Sequence, residues 1–358
     1  MRKWLTTISL ALTCSFASSS DILISADEAY KLIGKENVVF VNGDSEDVFE
    51  LGHIKGSVSM YAHHLHHADI TGDMHCKPLF MCPDEAEEYI GSKGISNDTL
   101  VIAYDDFRGP NATGVYAYFK SFGHTNLKIL DGGRWQIKML DPVQKTYDAV
   151  KKEAKVIKKK LKRAKKAEVK DEALIAQLKS EYKAKKAELK KISKSLIITK
   201  GRGEKPKKAH YEIDETKIDY DYIASKDEML TAVRDILKNG KDSKYIIIDS
   251  RGFTEIIGER KLDNVARGGH IAGATLLEWK NFTDFDKKLS FKSKEAMQKI
   301  LDERGITKDK TIYAYCHVGA GRSSDIITAL EMLDYPNIKV YTGSYDEWGN
   351  DMDLPIRR

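Results

Sequence analysis

Residues 310–330 read Lys310-Thr311-Ile312-Tyr313-Ala314-Tyr315-Cys316-His317-Val318-Gly319-Ala320-Gly321-Arg322-Ser323-Ser324-Asp325-Ile326-Ile327-Thr328-Ala329-Leu330. The β-branched and aromatic run up to Tyr315 predicts a strand, and the run from Asp325 to Leu330 predicts a helix. A thiol at the end of that strand, a short loop with two glycines and an arginine six positions on predict a cradle of backbone N–H groups around the sulfur. Such a cradle holds an anion and favours thiolate over thiol. Cys316 is therefore the candidate nucleophile. The amides from His317 through Val318, Gly319, Ala320, Gly321 and Arg322 are the candidate anion ligands, with Arg322 adding a fixed cation.

Outward from this stretch, the chain repeats itself. Gly52-His53-Ile54-Lys55-Gly56-Ser57 recurs as Gly269-His270-Ile271-Ala272-Gly273-Ala274, at an offset of 217. Val101-Ile102-Ala103-Tyr104-Asp105 is echoed by Ile312-Tyr313-Ala314-Tyr315-Cys316, and Leu130-Asp131-Gly132-Gly133 by Tyr341-Thr342-Gly343-Ser344, both at an offset of 211. Two copies of one domain follow. In each copy short, continuous apolar strands alternate with helical stretches, Val38–Val41, Leu100–Tyr104 and Leu127–Leu130 in the first, Tyr245–Asp249, Thr311–Tyr315 and Ile338–Tyr341 in the second. The expected class is α/β, two domains each with a parallel sheet flanked by helices. Ligands in such sheets bind beyond the carboxyl ends of strands, where Cys316 falls.

The chain has 358 residues, 41% hydrophobic and 32% charged, enough for two globular domains and a further polar segment. That segment runs from about 147 to 209. From Val150 to Ala209 it holds 21 Lys and 2 Arg against 7 acidic residues, a net of +16, so the rest of a chain of net charge +5 carries −11. Ile157, Leu161, Ala164, Leu178, Tyr182, Leu189, Ile192 and Leu196 recur at helical spacing, which predicts one long helix or an α-hairpin turning near Asp171-Glu172. Such an insert is a solvated helical element packed on itself or its host, or an arm for an acidic protein partner or an anionic membrane surface. Little aromatic interleaving argues against nucleic acid.

At the N-terminus, Met1-Arg2-Lys3, an apolar run from Trp4 to Thr13 and the small polar Cys14–Ser20 have the layout of a secretory signal cleaved after Ala17 or Ser19. The apolar run is too short to span a bilayer. Ala11-Leu12-Thr13-Cys14 is a poor match to a lipoprotein site, so periplasmic or secreted is the expected location, with lipid anchoring the lesser alternative. The expected division is 1–19 signal, 20–146 first domain, 147–209 insert and 210–358 second domain. Removing the signal leaves Cys76, Cys82 and Cys316. Cys76 and Cys82 either pair or are two buried thiols, and Cys316 stays free.

With these elements in hand, the chain resembles the tandem-domain rhodanese family of sulfurtransferases. The resemblance is carried by Asp249-Ser250-Arg251 with Glu255, Arg267-Gly268-Gly269-His270-Ile271-Ala272-Gly273-Ala274, the Cys316 loop, and Gly343-Ser344-Tyr345-Asp346-Glu347-Trp348-Gly349 with Leu354-Pro355. It implies a sulfurtransferase that moves sulfane sulfur from thiosulfate or polysulfide, through a Cys316 persulfide, to a thiol or cyanide acceptor, with no cofactor. In the first copy Asp105 and Asn111 stand where Cys316 and Arg322 are, which implies an inactive N-terminal domain that forms a cleft wall. Five residues separate Cys316 from Arg322, one more than in most rhodaneses. That spacing is similar to cysteine-dependent phosphatases of the same fold, so phosphate-ester or arsenate chemistry is an alternative, and a non-catalytic sulfur carrier is another. Against the phosphatases, Tyr315 stands where they place a histidine.

Arg251 and Arg267 lack counterparts in the first copy and are candidate substrate ligands, or else paired charges that hold the fold. His63, His64, His66, His67, His75, Cys76 and Cys82 could hold zinc or copper, but their spacing fits no standard metal site. No metal is expected, and these side chains are read as lining the interdomain cleft. His53 and His270 recur in both copies and predict structural hydrogen bonds.

Overall fold

The computed structural model describes residues 22–358, so the expected signal segment and Cys14 lie outside the described residues. The described chain forms two five-stranded sheets, parallel throughout. In the first the strands lie in the order Leu23–Ile24, Leu127–Leu130, Leu100–Tyr104, Val38–Asn42, Val58–Ser59. In the second the order is Thr275–Leu276, Tyr245–Asp249, Thr311–Tyr315, Ile338–Tyr341, Ile223–Ala224. The middle strand of each sheet is thus the one that leads directly into Asp105 or Cys316.

Both sheet faces are covered, which is why the strands read as unbroken apolar runs. Side chains alternate between faces along a strand. Ile312 and Ala314 enter one large core shared by the two domains, whereas Tyr313 and Tyr315 enter a separate core behind the second sheet. The first sheet does the same, with Val101 and Ala103 in the shared core and Ile102 and Tyr104 behind.

The repeated Gly-His-Ile motif has one structural task in both copies. Its isoleucine N–H donates to the hydroxyl of the tyrosine that ends the middle strand, Ile54 to Tyr104 at 3.0 Å and Ile271 to Tyr315 at 3.0 Å. The histidines beside them bond to backbone, His53 Nδ1 to the Phe49 carbonyl at 3.0 Å and His270 Nδ1 to the Ile256 carbonyl at 2.9 Å. Each motif also forms a two-residue antiparallel ribbon, His270–Ile271 with Ile356–Arg357 and His53–Ile54 with Ile198–Thr199.

That second ribbon locates the lysine-rich segment. It is an α-hairpin of helices Pro142–Ala164 and Glu172–Ser193, the second capped by the Asp171 carboxylate, which accepts from the Leu174 N–H. The first helix begins at Pro142, before the boundary expected at 147. The ribbon strand Ile198–Thr199 follows the hairpin, so the hairpin loops out of the first domain and its chain returns to close that domain. Val150, Ala154, Ile175 and Leu178 are buried and the lysines stay outside, with Lys185 Nζ 2.7 Å from the Glu153 carboxylate across the hairpin. Among the described residues no helix is long and apolar enough to cross a membrane.

The domains meet through helices Pro110–Ser121 and Arg322–Met332, both almost wholly buried. A Cβ on Gly114 would lie 2.9 Å from the Gly321 nitrogen and 3.0 Å from the Ala320 carbonyl carbon, so only glycine lets the first-domain helix come this close to the Cys316 loop. Lys120 Nζ reaches the Glu331 carboxylate at 2.8 Å at the far end of the pair. Asp325, at the near end, is fully buried, and neither carboxyl oxygen has a hydrogen-bond partner among the described residues. Burial, with the Asp105 carboxyl next, holds Asp325 well above its usual value of 3.8. A carboxyl that keeps its proton only when folded contributes stability that is lost as pH rises above the unfolded value. Asp325→Asn is therefore expected to raise Tm, and by more at pH 8 than at pH 5; an equal change at both would show that Asp325 is ionised in the folded protein.

Candidate active site

Strand Thr311–Tyr315 delivers Cys316 to the base of the interface, where it is 1% exposed. The loop then curls back under the sulfur. Gly319 has φ +75°, and a Cβ there would lie 2.6 Å from the Thr342 carbonyl oxygen, while Gly321 has φ +148°. Side chains are excluded at the first by contact and disfavoured at both by backbone conformation. The loop is held from below by Ser344, whose hydroxyl accepts from the Cys316 N–H at 3.2 Å, and by the Tyr345 and Asp346 N–H groups, which donate to the carbonyls of Cys316 and His317.

The six loop amides are not equivalent. Ala320 N–H turns to the Val318 carbonyl at 2.8 Å and Gly321 N–H to the Ser324 hydroxyl at 3.4 Å. Those of His317, Val318 and Gly319 have no acceptor among the described residues, and Arg322 N–H opens the helix. The cradle thus offers four of the six expected donors.

Ser323 makes a contact that sequence reading passed over. Its Oγ lies 3.4 Å from Cys316 Sγ and 2.6 Å from the Gly319 carbonyl oxygen. A hydroxyl has one hydrogen. In the thiol form it bonds to Gly319 and can accept from S–H; when the sulfur is charged the same hydrogen can turn to the sulfur.

Arg322 is not a lone cation. Its guanidinium grips the Glu255 carboxylate in two bonds, at 2.6 and 3.1 Å. Burial alone would raise Glu255, but the Arg322 hydrogen bond and charge bring it below its ordinary value. The pair is neutral as a unit, beside the sulfur.

Arg251 and Arg267 hold the fold. Arg251 bonds Asp249 at 2.7 Å and the Gly269 carbonyl at 2.6 Å, and its guanidinium lies 3.9 Å from the Tyr345 ring centre. It does line, with Glu255 and His317, a small cleft beside the loop. Arg267 spends its donors on the carbonyls of Trp348, Gly349, Asp351 and Leu354, closing the end of helix Ser344–Asn350 and its exit. No donor of Arg267 is directed to the Cys316 loop.

The first domain supplies the opposite wall. A Cβ on Gly321 would stand 3.7 Å from His63 Nε2. His66 bonds the Thr342 carbonyl at 3.1 Å and lies 3.3 Å from the Asp346 carboxylate, which also accepts from Asn264, the neighbour of His317 Nε2. The expected histidine cluster therefore divides. His63 and His66 face the site, while His67 and His75 turn away toward Glu85. Cys76 and Cys82 form a disulfide and are not ligands, leaving Cys316 as the free thiol among the described residues.

In the first copy, Asp105 occupies the place of the sulfur. Its carboxyl accepts from the N–H groups of Gly109 at 2.9 Å, Asn111 at 3.2 Å and Ala112 at 3.4 Å. The anion cradle there is filled by the protein's own side chain. Burial and the Asp44 and Asp106 carboxyls push Asp105 up to about 8 against these donors.

A family model described as a rhodanese-like domain matches residues 25–138 and again 231–351. The chain belongs to the rhodanese-like family. Among curated relatives, a "Putative thiosulfate sulfurtransferase" of Saccharopolyspora erythraea is 26% identical, over 95% of this chain and 97% of the relative. The sulfur carrier protein TtuD of Thermus thermophilus is 24% identical, over 94% and 97%. The solved structure of SseA from Escherichia coli, described with 3-mercaptopyruvate sulfotransferases, superposes with a TM-score of 0.61 at 18% identity, over 90% of this chain and 98% of that one. At that identity the structural likeness speaks for the fold. The paired sheets and the repeat are those of two rhodanese-like domains in tandem, and the curated relatives that the chain resembles are named as a thiosulfate sulfurtransferase and a sulfur carrier.

Two outcomes test this geometry. Replacing Ser323 with Ala should slow iodoacetamide alkylation of Cys316 at pH 7 by about tenfold, the loss of one hydrogen bond to a charged atom; an unchanged rate would remove Ser323 from sulfur stabilisation. His63 and His317 are each pushed down to about 4, chiefly by burial, with Arg322 adding to it and Asp346 opposing at His317. Both imidazoles bind a proton less readily folded than unfolded, so their stability is complete above about pH 6.5 and is lost as pH falls toward 4. The fall in Tm between pH 7 and pH 4.5 should be shallower in His63→Gln than in the unmodified protein.

Proposed function

We propose that this protein transfers sulfane sulfur through a persulfide on Cys316. One observation carries the reading: Cys316, the free thiol among the described residues, opens a loop in which the N–H groups of His317, Val318 and Gly319 have no acceptor among the described residues, and the Arg322 guanidinium of that loop is already paired with Glu255. The Cys316 thiolate attacks the outer sulfur of thiosulfate, the S–S bond breaks and sulfite leaves, which puts Cys–S–S⁻ in the cradle. A thiol or cyanide then attacks the terminal sulfur and the Cys316 thiolate is regenerated. With polysulfide as donor the leaving group is the shortened polysulfide.

The neutral Arg322–Glu255 pair supports sulfur over oxyanion chemistry. A dianionic phosphate or arsenate in the cradle would sit against the Glu255 carboxylate, whereas a persulfide carries one charge. By the same argument a monoanionic polysulfide is better matched than thiosulfate. The relative named as a sulfur carrier favours a second reading, in which Cys316 loads sulfur and hands it to a protein acceptor without steady turnover. Export to an oxidising compartment, directed by residues 1–19, is supported by the Cys76–Cys82 disulfide.

Intact mass of the mature protein after thiosulfate or polysulfide treatment reads the intermediate directly. A gain of one sulfur that needs Cys316, absent from Cys316→Ser and discharged by cyanide, is the expected result. A gain that cyanide removes without sustained thiocyanate production would single out the carrier. No gain with either donor would overturn the proposal and leave the phosphatase-like spacing as the better guide.

A further inference from the structure

We propose that His67, His75 and Glu85 form a site for a divalent transition ion of the zinc or copper class, separate from the Cys316 site. One ligand atom from each lies within 4.8 Å of the others. His67 Nδ1 stands 2.9 Å from Glu85 Oε2, and the two imidazole rings meet edge to face at 6.4 Å. Two imidazoles and one carboxylate are a borderline donor set that suits zinc and copper and suits magnesium or calcium poorly.

The backbone already holds the three residues in place. His75 N–H donates to the His67 carbonyl at 3.1 Å, His67 N–H donates to the Phe80 carbonyl at 2.8 Å, and Ala68 and Met74 bridge between them. The Cys76–Cys82 disulfide staples the loop one residue after His75 and three before Glu85. The side chains are half-buried or exposed, so each can make the small movement that metal–ligand distances require, and water completes the coordination. The disulfide also keeps both cysteine sulfurs out of the ligand set.

The same loop is the first-domain wall of the Cys316 site. Pro78 accepts from the Thr342 hydroxyl at 2.8 Å, Lys77 lies 3.4 Å from the Glu347 carboxylate, and His66, next to His67, holds Thr342 and faces Asp346. An ion across His67, His75 and Glu85 would tie down the far side of that wall and stabilise the folded chain by mass action.

The test uses untagged mature protein carrying Cys316→Ser, so that the catalytic thiol takes no metal, titrated with zinc chloride by calorimetry. One ion per chain is expected, with a zinc-dependent rise in Tm. His75→Ala, an exposed change, and Glu85→Gln should each weaken binding by about tenfold or more. Absence of stoichiometric binding, or binding of unchanged strength in the His67→Ala/His75→Ala protein while its Tm without zinc is retained, overturns the proposal. Neither result bears on persulfide formation at Cys316, which is measured in the zinc-free protein.

Discussion

The approach of helix Pro110–Ser121 to the loop that carries Cys316 is the constraint on which the molecule depends. It requires Gly114 where any side chain would meet the Ala320–Gly321 peptide. It buries the Asp325 carboxyl with no hydrogen-bond partner among the described residues and merges one face of each sheet into a single core. It also brings His63 and His66 from one domain over a loop built by the other. The second domain alone would leave that loop open to water on the side where the histidines stand. The tandem arrangement is thus part of the site rather than a duplication that happens to persist.

The two copies show how one scaffold serves opposite ends. Both end their middle strand at a tyrosine that takes an isoleucine N–H, and both then turn N–H groups inward at a helix start. Such a turn wants a negative charge or an equivalent acceptor. In the first copy Asp105 supplies it from the chain itself, and the cradle is closed. In the second the Cys316 sulfur stands there, with the Ser323 hydroxyl 3.4 Å away. There the cation that the loop carries, Arg322, is already paired with the Glu255 carboxylate.

The disulfide-stapled loop from His66 to Cys82 sends its side chains in two directions. Seven histidines and cysteines close together in sequence form one suspicious cluster. In space His63 and His66 belong to the sulfur site, Cys76 and Cys82 are spent on each other, and His67 and His75 meet a glutamate contributed by the next helix. What divides them is the direction each side chain takes from a loop that doubles back on itself.

The sequence alone determined the local and repeated features: the parallel strands, the two-copy organisation, the free cysteine at a strand end, the glycines of its loop and the helical character of the lysine-rich segment. Each of these is a matter of short-range pattern, where strand periodicity, backbone freedom at Gly319 and Gly321 and residue spacing act within a few positions. Only the tertiary structure decided that the hairpin interrupts the first domain before its closing strand Ile198–Thr199, that Arg267 closes a helix end and Arg251 a buried ion pair, that Ala320 and Gly321 turn their amides into the loop, and that Glu255 neutralises Arg322. Those outcomes rest on partners tens to hundreds of residues away, and nothing in a residue's own neighbourhood states which distant carbonyl or carboxylate will satisfy it once both are buried.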